Sequence, residues 1–113
     1  MTCPFCQIAS HAIPAKIVYS SPDVTAFRDV KPQAPTHVLV IPNLHIGSIA
    51  AMGSSHPQLL ARLFNAIDEV VRAEGLATSG FRIVSNSGPD GGQTVNHLHF
   101  HVLGGRQMLW PPG

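Results

Sequence analysis

The stretch His97–Val102, HLHFHV, alternates polar and apolar side chains without a break. A period of two fits a β-strand, whose side chains point to opposite faces in turn, and fits no helical face. Leu98, Phe100 and Val102 are therefore expected in a core, with His97, His99 and His101 on the other face of a sheet. Successive histidines on that face lie roughly 6.5–7 Å apart, from a rise of about 3.3 Å per residue. One imidazole can then attack a reacting centre while the next reaches another oxygen of the same group. The same spacing also admits zinc held by alternate histidines, or three side chains that only face solvent. Histidine is an uncommon choice for plain solvation, and three of the chain's seven fall in these five positions.

The elements around this strand are legible by the same rules. KIVYS (16–20) and VTAFRDV (24–30), separated by SPD, read as a β-hairpin. KPQAPT (31–36) carries two prolines and is a loop, and HVLVIP (37–42) is a nearly continuous apolar run that suits a buried strand ended by Pro42. HIGSIAAM (45–52) holds one or two helical turns. Residues 54–75 form the clearest helix, with Ser55 as N-cap and Gly75 as stop. Its stripe of Leu59, Leu60, Leu63, Phe64, Ile67, Val70 and Val71 recurs at three- and four-residue spacings and is expected to cover the sheet. GFRIVSN (80–86) is a further strand. Five mostly sequential strands and one main helix predict an α+β fold with an antiparallel sheet.

A chain of 113 residues, 44% hydrophobic and 12% charged, is one globular domain, residues 1–113. The small charged fraction hints that a second subunit covers part of the surface. A formal net charge of +1 gives no broad footprint for nucleic acid or an anionic membrane. No apolar run reaches the ~20 residues needed to span a bilayer, and MTCPFCQIAS lacks a secretory apolar core, so a cytoplasmic protein is expected. In that reducing compartment Cys3 and Cys6, a C-x-x-C, suit a metal half-site or a redox pair better than a structural disulfide. A redox pair is usually placed at a helix start after a strand, and no strand precedes this one. A zinc half-site needs two more ligands from elsewhere. An unused pair also remains open.

SGPDGGQT (87–94) leads directly into the histidines. Glycines let backbone N–H groups approach an anion closely, although most glycine-rich loops are only turns. A glycine-rich loop feeding H-x-H-x-H says more: amide donors and neutral imidazoles gathered around one phosphate.

HLHFHVLGGRQMLWPPG fits the pattern His-φ-His-φ-His-φ-φ, with φ apolar. With IPAKIVY and FRDVKPQAPTHVLVIP, the chain resembles the Hint branch of the histidine triad (HIT) family nearly end to end, the closing GGRQMLWPPG being most specific to that branch. The resemblance implies a HIT-like fold: a five-stranded antiparallel sheet, one main α-helix and a short helical segment at the amino terminus. It also implies a hydrolase that cleaves the P–N bond of purine nucleoside 5′-phosphoramidates, releasing a nucleoside monophosphate and an amine, without a catalytic cofactor.

The family's residue roles carry over position by position. His99 matches the nucleophile that forms a nucleotidyl-histidine intermediate, splitting one displacement into two. A histidine of ordinary pKa is largely neutral, and so nucleophilic, at pH 7. The carbonyl of His97 matches the acceptor for its other ring N–H. His101 matches the phosphoryl contact, and His37 a fourth histidine supporting the triad. Asn86, Gly92, Gln93 and Thr94 match the phosphate and leaving-group region, with Thr94 where serine is common in the family. Asp29 matches the acceptor of the ribose hydroxyls; Phe5, Ile8, Phe27 and Val30 match the apolar clamp around the base. Bacterial relatives of this type hold structural zinc, and matching assigns it to Cys3, Cys6, His45 and His97, a closed Cys₂His₂ set. His11 and His56 match no role. The branch is homodimeric, its carboxyl-terminal tail (about 104–113) packing at the interface, which brings Trp110 to the neighbour's leaving-group pocket. A dinucleoside polyphosphate hydrolase of the neighbouring Fhit branch, or a nucleotide-binding scaffold with incidental catalysis, are the competing readings. A zinc enzyme ligated by the triad itself is a third.

Overall fold

The computed structural model describes residues 3–113. The chain runs α1 (Pro4–Ala9), β1 (Ile17–Ser20), β2 (Val24–Arg28), β3 (Thr36–Pro42), α2 (Ile49–Met52), α3 (Pro57–Ala73), β4 (Phe81–Val84) and β5 (Phe100–Gly104). The five strands form one antiparallel sheet in the order β1-β2-β3-β5-β4. The α+β class, the five strands, the main helix and the short amino-terminal helix are all as the sequence predicts.

Period-two alternation divides the sheet into two buried faces. Val24, Ala26, Val38, Val40, Phe100 and Val102 pack beneath α3 through Leu63, Ala66, Ile67, Val70 and Val71. Phe27, Leu39 and Ile41 point the other way and meet Phe5 and Ile8 of α1. Residues 37–42 of β3 are buried on both faces, which is why this strand reads as a continuous apolar run rather than an alternating one. The histidines share the α1 face, opposite the main helix.

The structure departs from the sequence reading in three places. The pairing of β5 begins only at Phe100, opposite Val40, so His97 and His99 precede the ladder. A tight backbone turn, His97 N–H to the Val95 carbonyl at 2.9 Å, and the bond from Leu98 N–H to the Ile46 carbonyl hold 97–99 against the 43–48 segment instead. The faces are nonetheless as expected: Leu98, Phe100 and Val102 are in the α3 core. The N-cap of α3 is His56, without a side-chain capping bond, because Pro57 occupies the first turn and moves the helix start past Ser55. Two members of the expected stripe, Leu60 and Phe64, stay 38% and 45% exposed at its margin.

Gly75 ends α3 as expected, with φ +71° just beyond the cap residue Glu74. Glu74 also accepts two bonds from the Arg28 guanidinium, at 2.8 and 3.0 Å, tying the end of β2 to the end of α3. That pairing holds the Glu74 carboxyl below the ordinary carboxylate range.

Candidate active site and metal centre

On the sheet face opposite α3 lies a cavity of about 1000 Å³. Phe5, Ile8, Phe27 and Leu39 form its apolar wall, and His37, His99, His101 and Thr94 its polar end. Phe5 stands edge-on to Phe27 (centroids 5.3 Å apart) and to His99 (5.2 Å), so α1 touches both wall and triad. Asp29 lines the cavity with Val30, which is 93% exposed at its rim.

The hydrogen bonds assign a proton to each imidazole. His99 Nδ1 lies 2.6 Å from the His97 carbonyl, an acceptor only, so Nδ1 carries the proton and Nε2 the lone pair. Nε2 of His99 has no partner among the described residues, yet no buried side-chain nitrogen or oxygen lacks one; Nε2 therefore opens to the cavity. The Ser85 hydroxyl donates to the His99 carbonyl at 2.8 Å and fixes the same residue from its backbone side.

A second chain of bonds sets His101. The Gln33 backbone N–H donates to His37 Nδ1 at 3.0 Å, which leaves the His37 proton on Nε2. His37 Nε2 is 2.8 Å from His101 Nδ1, so it donates there, and the His101 proton sits on Nε2, facing the cavity. Burial keeps both rings neutral. It lowers His37 below the ordinary histidine value, against the pull of Asp29 at 3.4 Å. It lowers His101 to about 4, helped by the positive charge that His99 and His37 can carry and opposed by Asp29. The triad thus presents one lone pair, on His99, beside one neutral N–H donor, on His101. Their ring centroids are 5.0 Å apart.

Asp29, His37 and His101 also place ligand-type atoms within 4.8 Å of one another. The proton on His37 Nε2, imposed by the Gln33 N–H on the far nitrogen, leaves that nitrogen no lone pair for a metal.

The second cluster has the opposite character. Cys3 Sγ and Cys6 Sγ lie 3.3 and 3.5 Å from His97 Nδ1, and Cys6 Sγ lies 3.2 Å from His45 Nδ1. All four donor atoms fall within 4.8 Å of one another. Tetrahedral zinc with bonds of about 2.0–2.3 Å to nitrogen and sulfur separates its ligands by roughly 3.5 Å, so the set fits the ion. His97 Nε2 donates to the Pro42 carbonyl at 2.9 Å, which directs its lone pair at the thiols. Burial, the largest influence, keeps His97 neutral despite that bond. Cys3 also caps α1, its sulfur accepting the Cys6 N–H at 3.4 Å, so the C-x-x-C is built into the start of the helix that carries Phe5 and Ile8.

Other expected residues lie elsewhere. Asn86, Gly92 and Gln93 do not line the cavity of the single chain. The Gln93 amide accepts from the Gly88 N–H (3.0 Å) and donates to the Gly47 and Val95 carbonyls (2.6 and 2.9 Å), bracing the loop against the 43–48 segment. Trp110 is 81% exposed on the tail, away from this chain's own site. Ser85 and the Gln33 N–H escaped sequence reasoning. The second is a backbone group, for which residue type gives no signal.

Fold and site together define an α+β domain in which His99 turns an unpartnered ring nitrogen to one end of an apolar cavity, next to a Cys₂His₂ set whose geometry could hold a metal ion. The HIT domain family model matches residues 10–108, and the chain belongs to that family. The chain is 43% identical over 104 residues to the purine nucleoside phosphoramidase of Escherichia coli K12, covering 92% of this chain and 87% of that protein. It is 46% identical over 111 residues to a 14 kDa zinc-binding protein of Zea mays, covering 96% and 86%. The crystal structure of a HIT family hydrolase from Legionella pneumophila superposes with a TM-score of 0.96 at 47% identity, covering 99% of this chain and 100% of that one.

Proposed function

We propose that this chain hydrolyses purine nucleoside 5′-phosphoramidates to the nucleoside monophosphate and an amine. The observation that carries the reading is the state of His99: Nδ1–H held by the His97 carbonyl at 2.6 Å, Nε2 open to a cavity large enough for a nucleotide. Likeness to the E. coli phosphoramidase supports the substrate class.

In the first step His99 Nε2 attacks the α-phosphorus and the P–N bond breaks. The leaving nitrogen takes up one proton from water, and His99 becomes a nucleotidyl imidazolium whose Nδ1–H stays on the His97 carbonyl. In the second step water attacks phosphorus, the His99–P bond breaks, and one proton is released, balancing the first step. The His101 Nε2–H donates to a phosphoryl oxygen as charge builds there. Asp29 accepts from the ribose hydroxyls, and Phe5, Ile8, Phe27 and Val30 hold the base by its faces, a contact that discriminates by pocket size. Thr94, on the cavity wall, serves the phosphate and leaving group, and Gln93 braces the glycine-rich loop that carries it.

Cys3, Cys6, His45 and His97 hold a structural zinc ion, which anchors α1 and the residue whose carbonyl orients His99. The likeness to the maize zinc-binding protein supports this. Two such thiols fit a reducing cytoplasm. The chain works as a homodimer: Leu60, Phe64, Phe81 and Trp110 are exposed apolar residues, Phe64 meets Phe100 of β5 edge-on, and β4 is an open sheet edge. Trp110 then completes the neighbour's leaving-group pocket.

A kinetic panel tests the reading. Adenosine and guanosine phosphoramidates should give a kcat/KM far above that of diadenosine polyphosphates. The reverse order would assign the chain to the dinucleotide hydrolases. Sound nucleotide binding without turnover of either class would make it a scaffold.

A further inference from the structure

Arg106 lies two residues beyond the end of β5 and is not among the residues that line the cavity. Its Nε donates to the Gln33 carbonyl at 2.9 Å, and its Nη1 to the Gln107 carbonyl at 3.2 Å. Gln33 lies in the loop between β2 and β3, the loop whose residue-33 N–H sets the proton on His37. Within that loop the ends are well tied. Asp29 N–H bonds the His37 carbonyl at 3.0 Å, and the Asp29 carboxylate accepts the Lys31 N–H at 2.8 Å. Among the described residues, the middle has one hydrogen bond from outside the loop besides that of His37, and Arg106 supplies it.

The backbone before Arg106 is shaped for the same docking. Gly105 has φ +91°, and a Cβ there would stand 2.8 Å from Pro35 Cβ, so only glycine lets the segment lie against the loop. From Arg106 a continuous line of contacts reaches the cavity: 2.9 Å to the Gln33 carbonyl, 3.0 Å from the Gln33 N–H to His37 Nδ1, and 2.8 Å from His37 Nε2 to His101 Nδ1.

We propose that Arg106 is a positioning residue for the triad: by holding residue 33 it keeps the His37 proton on Nε2, and so keeps the His101 proton on the nitrogen that faces the substrate. Without it the Gln33 N–H drifts off His37 Nδ1, that nitrogen becomes free to carry the proton, and His101 then loses its reason to donate from Nε2. The effect on turnover rests on His101 being the phosphoryl donor; the effect on the protons does not.

The test uses the full-length, metal-loaded protein and its Arg106→Ala and Arg106→Lys variants. Histidine ring ¹⁵N chemical shifts, read without substrate, distinguish a bare from a protonated ring nitrogen. Wild type should show His37 and His101 each as a single Nε2–H tautomer. In Arg106→Ala both should move towards averaged nitrogens, while Arg106→Lys, which keeps one donor, should restore much of the wild-type pattern. With adenosine phosphoramidate, kcat should fall about three- to tenfold in Arg106→Ala, the size of one hydrogen bond's influence, while KM changes less than about twofold. Unchanged ring shifts in Arg106→Ala overturn the proposal whatever the activity does. Altered shifts with unchanged kcat would retain the proton assignment and reject His101 as the phosphoryl donor.

Discussion

The neutrality of His101 can be read directly from stability. Its folded pKa is lowered to about 4, whereas an unfolded histidine titrates near 6.5. A lowered histidine favours folding fully above its unfolded pKa and loses that contribution as pH falls from there towards the folded value. The whole difference is 2.5 units, or roughly 3 kcal/mol, of which roughly 2 kcal/mol is lost between pH 7 and pH 5. Urea denaturation of wild type and His101→Gln at both pH values isolates it, because the other titratable side chains are present in both proteins. Wild type should lose about 2 kcal/mol more than the variant on acidification. Equal losses would mean that His101 is already protonated in the folded state at pH 5, and the neutral donor assigned to the site would be wrong.

Three further perturbations separate the parts of the structure. Cys6→Ser should remove bound zinc and raise hydrogen exchange across α1 (Pro4–Ala9) with little change in α3, since α1 buries only Phe5 and Ile8; metal analysis with peptide-resolved exchange checks it. Phe5→Leu keeps most of the apolar volume but removes the ring that stands 5.2 Å from His99. It should raise KM for adenosine phosphoramidate about three- to tenfold, with little change in Tm. Glu74→Gln weakens a paired, part-exposed ion pair and should cost about 1 kcal/mol near pH 7 in urea melts. Because the Glu74 pKa is lowered, wild type should lose this advantage as pH falls below the ordinary carboxylate range.

Local pattern made much of the fold legible. Alternation at 97–102 placed the correct side chains on each face, and the apolar stripe and Gly75 gave α3 its position and its end. The delayed start of β5 was not legible, because it comes from His97 reaching the Pro42 carbonyl, 55 residues away in sequence, and from Leu98 bonding the Ile46 carbonyl. Leu60 and Phe64 follow the helical period as faithfully as buried Leu63; periodicity cannot tell a sheet-covering position from one at the helix margin. At the site, residue types and the family resemblance named the histidines and cysteines. The protons were invisible. His99, His101 and His37 differ only in which backbone or ring atom faces each nitrogen, and those partners, Gln33 among them, lie in loops whose approach no spacing rule describes. The bidentate Arg28–Glu74 pair, 46 residues apart in sequence, was hidden for the same reason.

The central claim is that His99 Nε2 forms the bond to phosphorus. Intact-protein mass measurement on a single turnover of adenosine phosphoramidate, quenched in base to protect the histidine–phosphorus bond, tests it most directly. Wild type should carry one nucleotidyl group, mapped to His99, that decays as the monophosphate appears; His99→Ala should carry none and turn over nothing while still binding nucleotide. Full turnover by His99→Ala, or an adduct mapped to another residue, would contradict the account.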